Sequence, residues 1–319
     1  RYTKCAEQDS LALVAFYNAT DGPNWTSNQD GFSVEKLGDD VLVYHTETYP
    51  NAGMGKWLQG PVKDWFGVLL EKQPLGATGD SIWRVVHLRA TINRRSMGDN
   101  KLKGYIPREI GLLTALKWFK VNGNLGLEGT ELPDELYHPT LQALDIEACK
   151  IKGGISNELR KCTGLNYFNI RTNAIDSIPI MDFLTPDHLM NSFNPNSGWQ
   201  IMFLYTNRIS YSNIEPSLDY FLSFSSSKQV QYEARQQNNI GREREIIVQP
   251  GQKVVLSTPA GGANGTYTWE KRGINTYMQG KTFTINSVAA KDTGAYRTVV
   301  ANDYIRLNDL NSDYVSVFS

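Results

Sequence analysis

The sequence predicts an α+β chain in two parts: a stack of repeated strand-and-return units behind a helical cap, then an all-β sandwich. Three observations carry this. A nine-residue apolar pattern recurs at a fixed period, a short helical pattern precedes it, and the composition changes after about Asn239. The pattern reads Leu116-x-x-Phe119-x-Val121-x-x-Asn124, then Leu141-x-x-Leu144-x-Ile146-x-x-Cys149 with Ile151, then Leu165-x-x-Phe168-x-Ile170-x-x-Asn173 with Ile175. Asn100, Asn124, Cys149 and Asn173 are spaced by 24, 25 and 24 residues.

Three successive matches at one period define a leucine-rich repeat. Each unit supplies one short strand and a return segment and cannot bury its own apolar residues, so stacked units share a core and form a solenoid with a parallel sheet on its concave side. The Asn or Cys falls at the bend after each strand, where a small polar side chain satisfies turn groups that would otherwise be buried unpaired. Cys149 is therefore expected to be a structural thiol. Two further units fit: Trp199-x-x-Met202-x-Leu204-x-x-Asn207-x-Ile209, after an insertion that includes Pro186 to Ser197, and Val85-x-x-Leu88-x-Ala90-x-x-Asn93, followed by an insertion at Arg94 to Gly98. Strands are expected near Leu88, Phe119, Leu144, Phe168 and Leu204, with a degenerate last turn through Leu218, Leu222 and Phe224.

The return segment after Asn100 reads N-K-L-K-G-Y-I-P-R-E-I-G-L-L-T-A-L, ending at Leu116. It resembles the repeat of plant-type leucine-rich proteins, a subtype also shared by secreted bacterial proteins. Leu132-Pro133 to Leu136 and Gly154-Ile155 to Leu159 are weaker copies. Ahead of the repeats, Asp9 to Asn18 has helical spacing with Asp9 or Ser10 available as its cap. With Asn24-Trp25, Trp57 and Asp64-Trp65-Phe66, this segment resembles the N-terminal cap of those bacterial proteins. Val41 to Tyr44 reads as an added strand.

From Asn239 short alternating strands take over. Val254 to Leu256, Tyr267 to Trp269, Phe283 to Ile285 and Arg297 to Ala301 resemble an immunoglobulin-like sandwich, with Trp269 as its core tryptophan and Tyr296 of Asp292-Thr-Gly294-Ala-Tyr296 as its tyrosine corner. Where that fold has its disulfide this chain has Thr258 and Thr298, which are expected to face each other across the core. The segments are then 1–83 cap, 84–238 repeats and 239–319 sandwich. The module order resembles that of internalin-like adhesins and of exported Bacteroidetes proteins. That implies a bacterial protein outside the cytoplasm, on the cell surface or secreted.

Composition narrows the function. A formal net charge of −1 gives no broad basic field for nucleic acid. No apolar run approaches the roughly 18 residues of a membrane helix. The chain starts at Arg1 without a signal peptide and reads as a mature chain whose targeting segment was removed. Cys5, Cys149 and Cys162 make no disulfide framework, though Cys149 and Cys162 flank one return segment and could bridge. His45, His87, His138 and His188 match no metal motif, and no nucleophile elbow or phosphate-binding loop occurs. Ala260 to Gly265 is a loop between strands. Asp309-x-Asn311-x-Asp313 resembles the start of a calcium loop but lacks its later ligands. No cofactor, metal or catalytic residue is expected. The glycosylation triplets at Asn18, Asn24 and Asn264, and the Asp-Ser-aliphatic triplets at Ser10, Ser81 and Ser177, are too short to weigh.

Strand alternation points the residues that flank each central apolar position outward on the concave sheet. Three columns result: His87, Trp118, Ala143, Tyr167, Ile201; then Arg89, Lys120, Asp145, Asn169, Phe203; then Thr91, Asn122, Glu147, Arg171, Tyr205. The candidate ligand site is Arg89, Trp118, Lys120, Asp145, Glu147, Tyr167, Arg171, Phe203 and Tyr205. Its four aromatics are expected to be exposed, a composition typical of binding hot spots. Mixed charge suits a protein or glycan ligand, host-derived ones included. A hydrolase would need clustered carboxylates, and only Asp145 and Glu147 are adjacent.

Overall fold

A computed structural model describes residues 6–32, 53–75, 79–92, 100–184, 200–217, 230–233, 237–241, 243–302, 310–311 and 315–318. Val41 to Tyr44, the insertions at Arg94 to Gly98 and Pro186 to Ser197, and the turn through Leu218, Leu222 and Phe224 lie outside the described residues.

Helix α1 (Glu7–Ala19) opens the chain and buries Ala12, Leu13, Phe16 and Tyr17. The expected side-chain cap is absent: Ala6 stands at the N-cap, and Asp9 is fully buried. Its carboxylate takes two bonds from Arg84 Nε, at 3.1 and 3.0 Å, and one from the Val85 N–H at 2.7 Å. Asp9 thus ties the helix to the first strands instead of capping it; a buried carboxylate needs a paired, hydrogen-bonded seat. Beside it Trp25, Trp57 and Trp65 pack in sequence, with ring centroids 4.9 and 5.3 Å apart. The Trp25 and Trp57 indole N–H groups donate to the Thr20 and Phe66 carbonyls, so these large rings bury without orphaned donors.

One seven-stranded sheet follows. Strands β1 (Val68–Leu75) and β2 (Asp80–Arg89) form an antiparallel hairpin. From β2 onward every pairing is parallel, through β3 (Trp118–Lys120), β4 (Ala143–Asp145), β6 (Tyr167–Asn169), β8 (Gln200–Phe203) and β9 (Val230–Glu233). The register aligns Leu88, Phe119, Leu144, Phe168 and Met202. The strand expected near Leu204 is therefore β8, aligned on Met202, and Leu204 falls just beyond it. A small parallel pair, β5 (Lys152–Gly154) and β7 (Ala174–Ser177), runs along the flank.

The polar ladder forms as the repeat requires. Asn173 accepts from the Cys149 and Ile151 N–H groups at 3.1 and 3.0 Å and donates to the Ile146 and Ile170 carbonyls at 2.8 Å. Asn124 and Asn207 bond backbone in the same way, and Cys149 Sγ donates to the Val121 carbonyl at 3.1 Å. The residues before Asn124, Cys149, Asn173 and Asn207 are left-handed: Gly123 at φ 80°, Ala148 at 53°, Thr172 at 59° and Thr206 at 54°. The chain must turn sharply there, and only Gly123 adopts that conformation at no steric cost. Cys149 and Cys162 are both free and buried.

Return segments carry short 3-10 turns: Arg108–Leu112 after Pro107, Asp134–Leu136 after Pro133, and Asn157–Lys161 after Ser156, whose hydroxyl accepts from the Glu158 N–H. Each buries one apolar residue, Ile110, Leu136 or Leu159. Gly104 of the Asn-x-Leu-x-Gly stretch has φ 121°, and a Cβ there would meet the Ala19 carbonyl oxygen at 2.1 Å. That close approach lets the first return segment lie against the end of α1.

The remaining strands build a sandwich. One sheet contains β10 (Arg244–Ile247), β12 (Gly265–Lys271), β13 (Ile274–Gln279), β15 (Gly294–Asn302), β16 (Leu310–Asn311) and β17 (Val315–Phe318); the other pairs β11 (Val254–Ser257) with β14 (Thr282–Ile285). Their shared core holds Leu256, Trp269, Tyr296 and Val317. Thr298 Oγ1 donates to Thr258 Oγ1 at 2.7 Å, so the two threonines face each other as expected. Tyr296 OH donates to the Asp292 carbonyl at 2.7 Å, the bond of a tyrosine corner.

The sandwich also completes the first core. Ala260, Tyr267 and Val300 join the same buried cluster as Leu204, Ile209, Tyr211 and Ile214. Glu215, in a helical stretch at 211–217, accepts from the Ala263 and Asn264 N–H groups at 2.6 and 3.2 Å and from Asn302 Nδ2 at 2.7 Å. The glycine-rich loop at Ala260 to Gly265 thus wraps a carboxylate of the repeat half.

Candidate ligand-binding wall

The strand register sets two of the three outward columns side by side. His87, Trp118, Ala143, Tyr167 and Ile201 form one row, and Arg89, Lys120, Asp145, Asn169 and Phe203 the next. Beyond the strand ends, Ala148 N–H donates to the Arg171 carbonyl and Thr172 N–H to the Tyr205 carbonyl, which keeps Glu147, Arg171 and Tyr205 adjacent.

The wall divides into two halves. Toward the cap it is sealed: His87, Arg89, Thr91, Lys120 and Asp145 are buried. Trp118 is half-buried and stacks on His87, with centroids 4.0 Å apart and planes within 2°. Lys120 Nζ lies 4.4 Å from the Tyr167 ring centroid and 4.0 Å from Asp145 Oδ2, and Tyr167 OH donates to the same oxygen at 3.3 Å. Burial pushes the Asp145 carboxyl above its usual range, against the pull of Lys120 and with the repulsion of Glu147. Burial, then the charges of Lys117 and Lys120, depress His87 to about 3, so its ring is neutral at pH 7.

The other half is more open. Arg171 is held 2.6 Å from Glu147 and 2.6 Å from Tyr205 OH, and its guanidinium lies 5.1 and 5.4 Å from the Phe203 and Tyr205 ring centroids. Asn169 Nδ2 donates to Glu147 Oε2 at 3.0 Å. The side chains of Arg171 and Glu147 keep 28% and 20% of their exposure. The expectation of four openly exposed aromatics is corrected: Trp118, Tyr167, Phe203 and Tyr205 are all half-buried. Strands about 4.8 Å apart put neighbouring long side chains in mutual contact, so His87 covers Trp118, Lys120 covers Tyr167, and Phe203, Tyr205 and Arg171 cover one another. Sequence reasoning placed His87 and Asn169 in the columns but gave them no role; only pairing across strands shows that His87 supports Trp118 and that Asn169 orients Glu147.

Catalytic chemistry finds little purchase here. Asp145 and Glu147 lie side by side, and Glu147 is committed to Arg171 and Asn169. Burial pushes the Cys149 and Cys162 thiols up to about 12, which removes the thiolate a nucleophile needs. Among the described residues no group of three or more His, Cys, Asp or Glu could hold a metal. Asp309 and Asp313 lie outside the described residues. Also among these residues, no helix is long and apolar enough to cross a membrane. A cleft of about 780 Å³ lies away from the wall, where ladder turns meet Gly241 and Pro259, and is lined by charges of both signs.

No family model matches the chain, and no curated protein does. Among solved structures, the chain is similar to the leucine-rich-repeat ectodomain of the receptor kinase SOBIR1 from Arabidopsis thaliana, at 16% identity and TM-score 0.43, over 74% of this chain and 97% of that one. It is also similar to the BIR3–SERK2 complex from the same plant, at 15% identity and TM-score 0.38, over 73% and 95%. Sidekick-1 immunoglobulin domains match 25% of this chain and 16% of theirs, at 22% identity and TM-score 0.21.

Proposed function

We propose that this chain is a non-enzymatic binding protein: a leucine-rich-repeat solenoid, capped at residues 1–83, repeating over 84–238 and carrying an immunoglobulin-like module at 239–319. Its ligand, a protein or a glycan, is recognised on the open half of the concave wall. The observation that carries this reading is the Arg171 guanidinium, fixed between Glu147 and the rings of Phe203 and Tyr205 while still partly exposed. An arginine and aromatics held in place lose little side-chain freedom on binding, which is what makes such residues anchors. Arg89, Trp118, Lys120 and Asp145 line the closed, cap-side half of the same wall. From the resemblance of the repeat and cap motifs we place the protein outside the cytoplasm, on a bacterial surface or secreted.

The test is a glycan array together with immobilised extracellular-matrix and mucus proteins, probed with the whole chain and with Arg171→Ala and Tyr205→Ala. Each substitution is expected to weaken binding by about 1–3 kcal/mol. Binding that both variants retain in full sinks the assignment of the wall. Retention on glycans alone, with loss in the variants, selects the sugar reading over the protein one.

A further inference from the structure

Strand β13 is an edge of its sheet and carries Ile274 at 73%, Tyr277 at 87% and Met278 at 45% exposure. Tyr277 is the most exposed large apolar residue among those described. Neither the sandwich core nor the concave wall uses these side chains. Two features decide what they can meet.

The first is the backbone. Tyr277 N–H donates to Asn275 Oδ1 at 2.6 Å and Met278 N–H to Thr276 Oγ1 at 3.3 Å. Tyr277 is left-handed at φ 60°, and pairing with β12 is irregular between Thr268 and Glu270. The edge is bent and these donors are already used, so it is poorly suited to receive another strand. The side chains, not the ladder, are what it offers.

The second is charge. From Lys271 to Lys291 the chain carries four cations and no carboxylate. Lys271 donates to the Lys291 carbonyl, Arg272 to the Thr293 carbonyl at 3.4 Å, and Lys281 to the Gly262 carbonyl at 2.9 Å. Carbonyl partners orient these cations without neutralising them. Of the nearby acids, Glu270 pairs with Arg297 at 2.8 Å, while Asp292 and Glu215 accept backbone N–H groups and keep their charge, so four cations face two free carboxylates.

From these observations we propose that the β13 edge docks on an anionic lipid surface. Ile274, Tyr277 and Met278 enter the headgroup layer, and Lys271, Arg272, Lys281 and Lys291 meet the phosphates. Protruding apolar points among cations that outnumber the nearby acids fit a fluid anionic surface, which needs no matching shape. This surface is separate from the concave wall and does not depend on its role.

The whole chain is sedimented with vesicles of phosphatidylcholine alone and of phosphatidylcholine mixed with phosphatidylglycerol. Binding is expected only to the mixed vesicles and is lost as salt is raised. Arg272→Gln and Lys281→Gln should each weaken it about fivefold, from the usual contribution of one cation at such a surface. Tyr277→Ser should weaken it as well while leaving the melting temperature unchanged, since the ring is exposed. No binding to mixed vesicles, equal binding to both kinds, or binding insensitive to these variants overturns the proposal. So does self-association in solution that Tyr277→Ser abolishes, which would assign the edge to a second copy of the chain.

Discussion

In the repeat half, Asn173 alone bonds the backbone of Cys149, Ile151, Ile146 and Ile170, whereas in the sandwich Thr298 donates to Thr258, whose hydroxyl also accepts from the Ala260 N–H. The difference follows from how each half disposes of its backbone. Parallel repeats turn sharply after every short strand, and the turn N–H and C=O groups are buried against the next repeat. Something other than a strand must satisfy them, so a polar side chain recurs in that core. Strands of the sandwich pair with one another along their length, antiparallel except for β10 beside β17, so fewer of its core polar groups need a side-chain partner.

The largest effect should come from breaking the ladder. Asn173→Leu leaves the Cys149 and Ile151 N–H groups without their acceptor, at a cost on the order of 1–3 kcal/mol for each. Denaturant unfolding measures it; a loss below that of a surface substitution would mean that water replaces the amide. Thr298→Val removes the hydroxyl that bonds Thr258 and keeps the shape of the sandwich core, so about 1 kcal/mol is expected by the same measurement.

Acid separates the halves in another way. All four histidines precede the sandwich. His87 is depressed to about 3 in the fold, below the ordinary value of 6.5. A depressed histidine contributes stability that is present above the unfolded pKa and is lost as pH falls from 6.5 toward 3. Melting of the repeat half should therefore weaken across that window, and His87→Gln should flatten the decline. An unchanged pH profile in the variant would show that His87 titrates normally. The smallest effect concerns the turns: Thr206→Gly relieves a β-branched residue at φ 54° but adds freedom to the unfolded chain, for a net gain below about 1 kcal/mol. A net loss would show that the threonine side chain is needed at the bend.

Much of the fold was legible because it is periodic. Leu88, Phe119, Leu144 and Phe168 stand in register as their spacing implied, and so do the first two outward columns, since alternation along a strand follows from backbone geometry alone. Asp292, Gly294 and Tyr296 announced the tyrosine corner for a similar reason, the interaction being local. Strand β9 escaped notice because Val230 to Glu233 matches no full repeat, and its place depends on the edge that β8 offers.

Sequence by itself determined the number of aligned strands between Leu88 and Phe168, the ladder of Asn and Cys, and the pairing of Thr258 with Thr298. Each depends on neighbours at a fixed period or on one strand pattern. Tertiary structure alone decided that Asp9 would leave the helix cap for Arg84, that the aromatic wall would be half-buried, and that Tyr267 and Val300 would close the core of the repeats. Those outcomes rest on which side chains from distant parts of the chain meet in three dimensions, and burial is a property of that meeting rather than of any residue type.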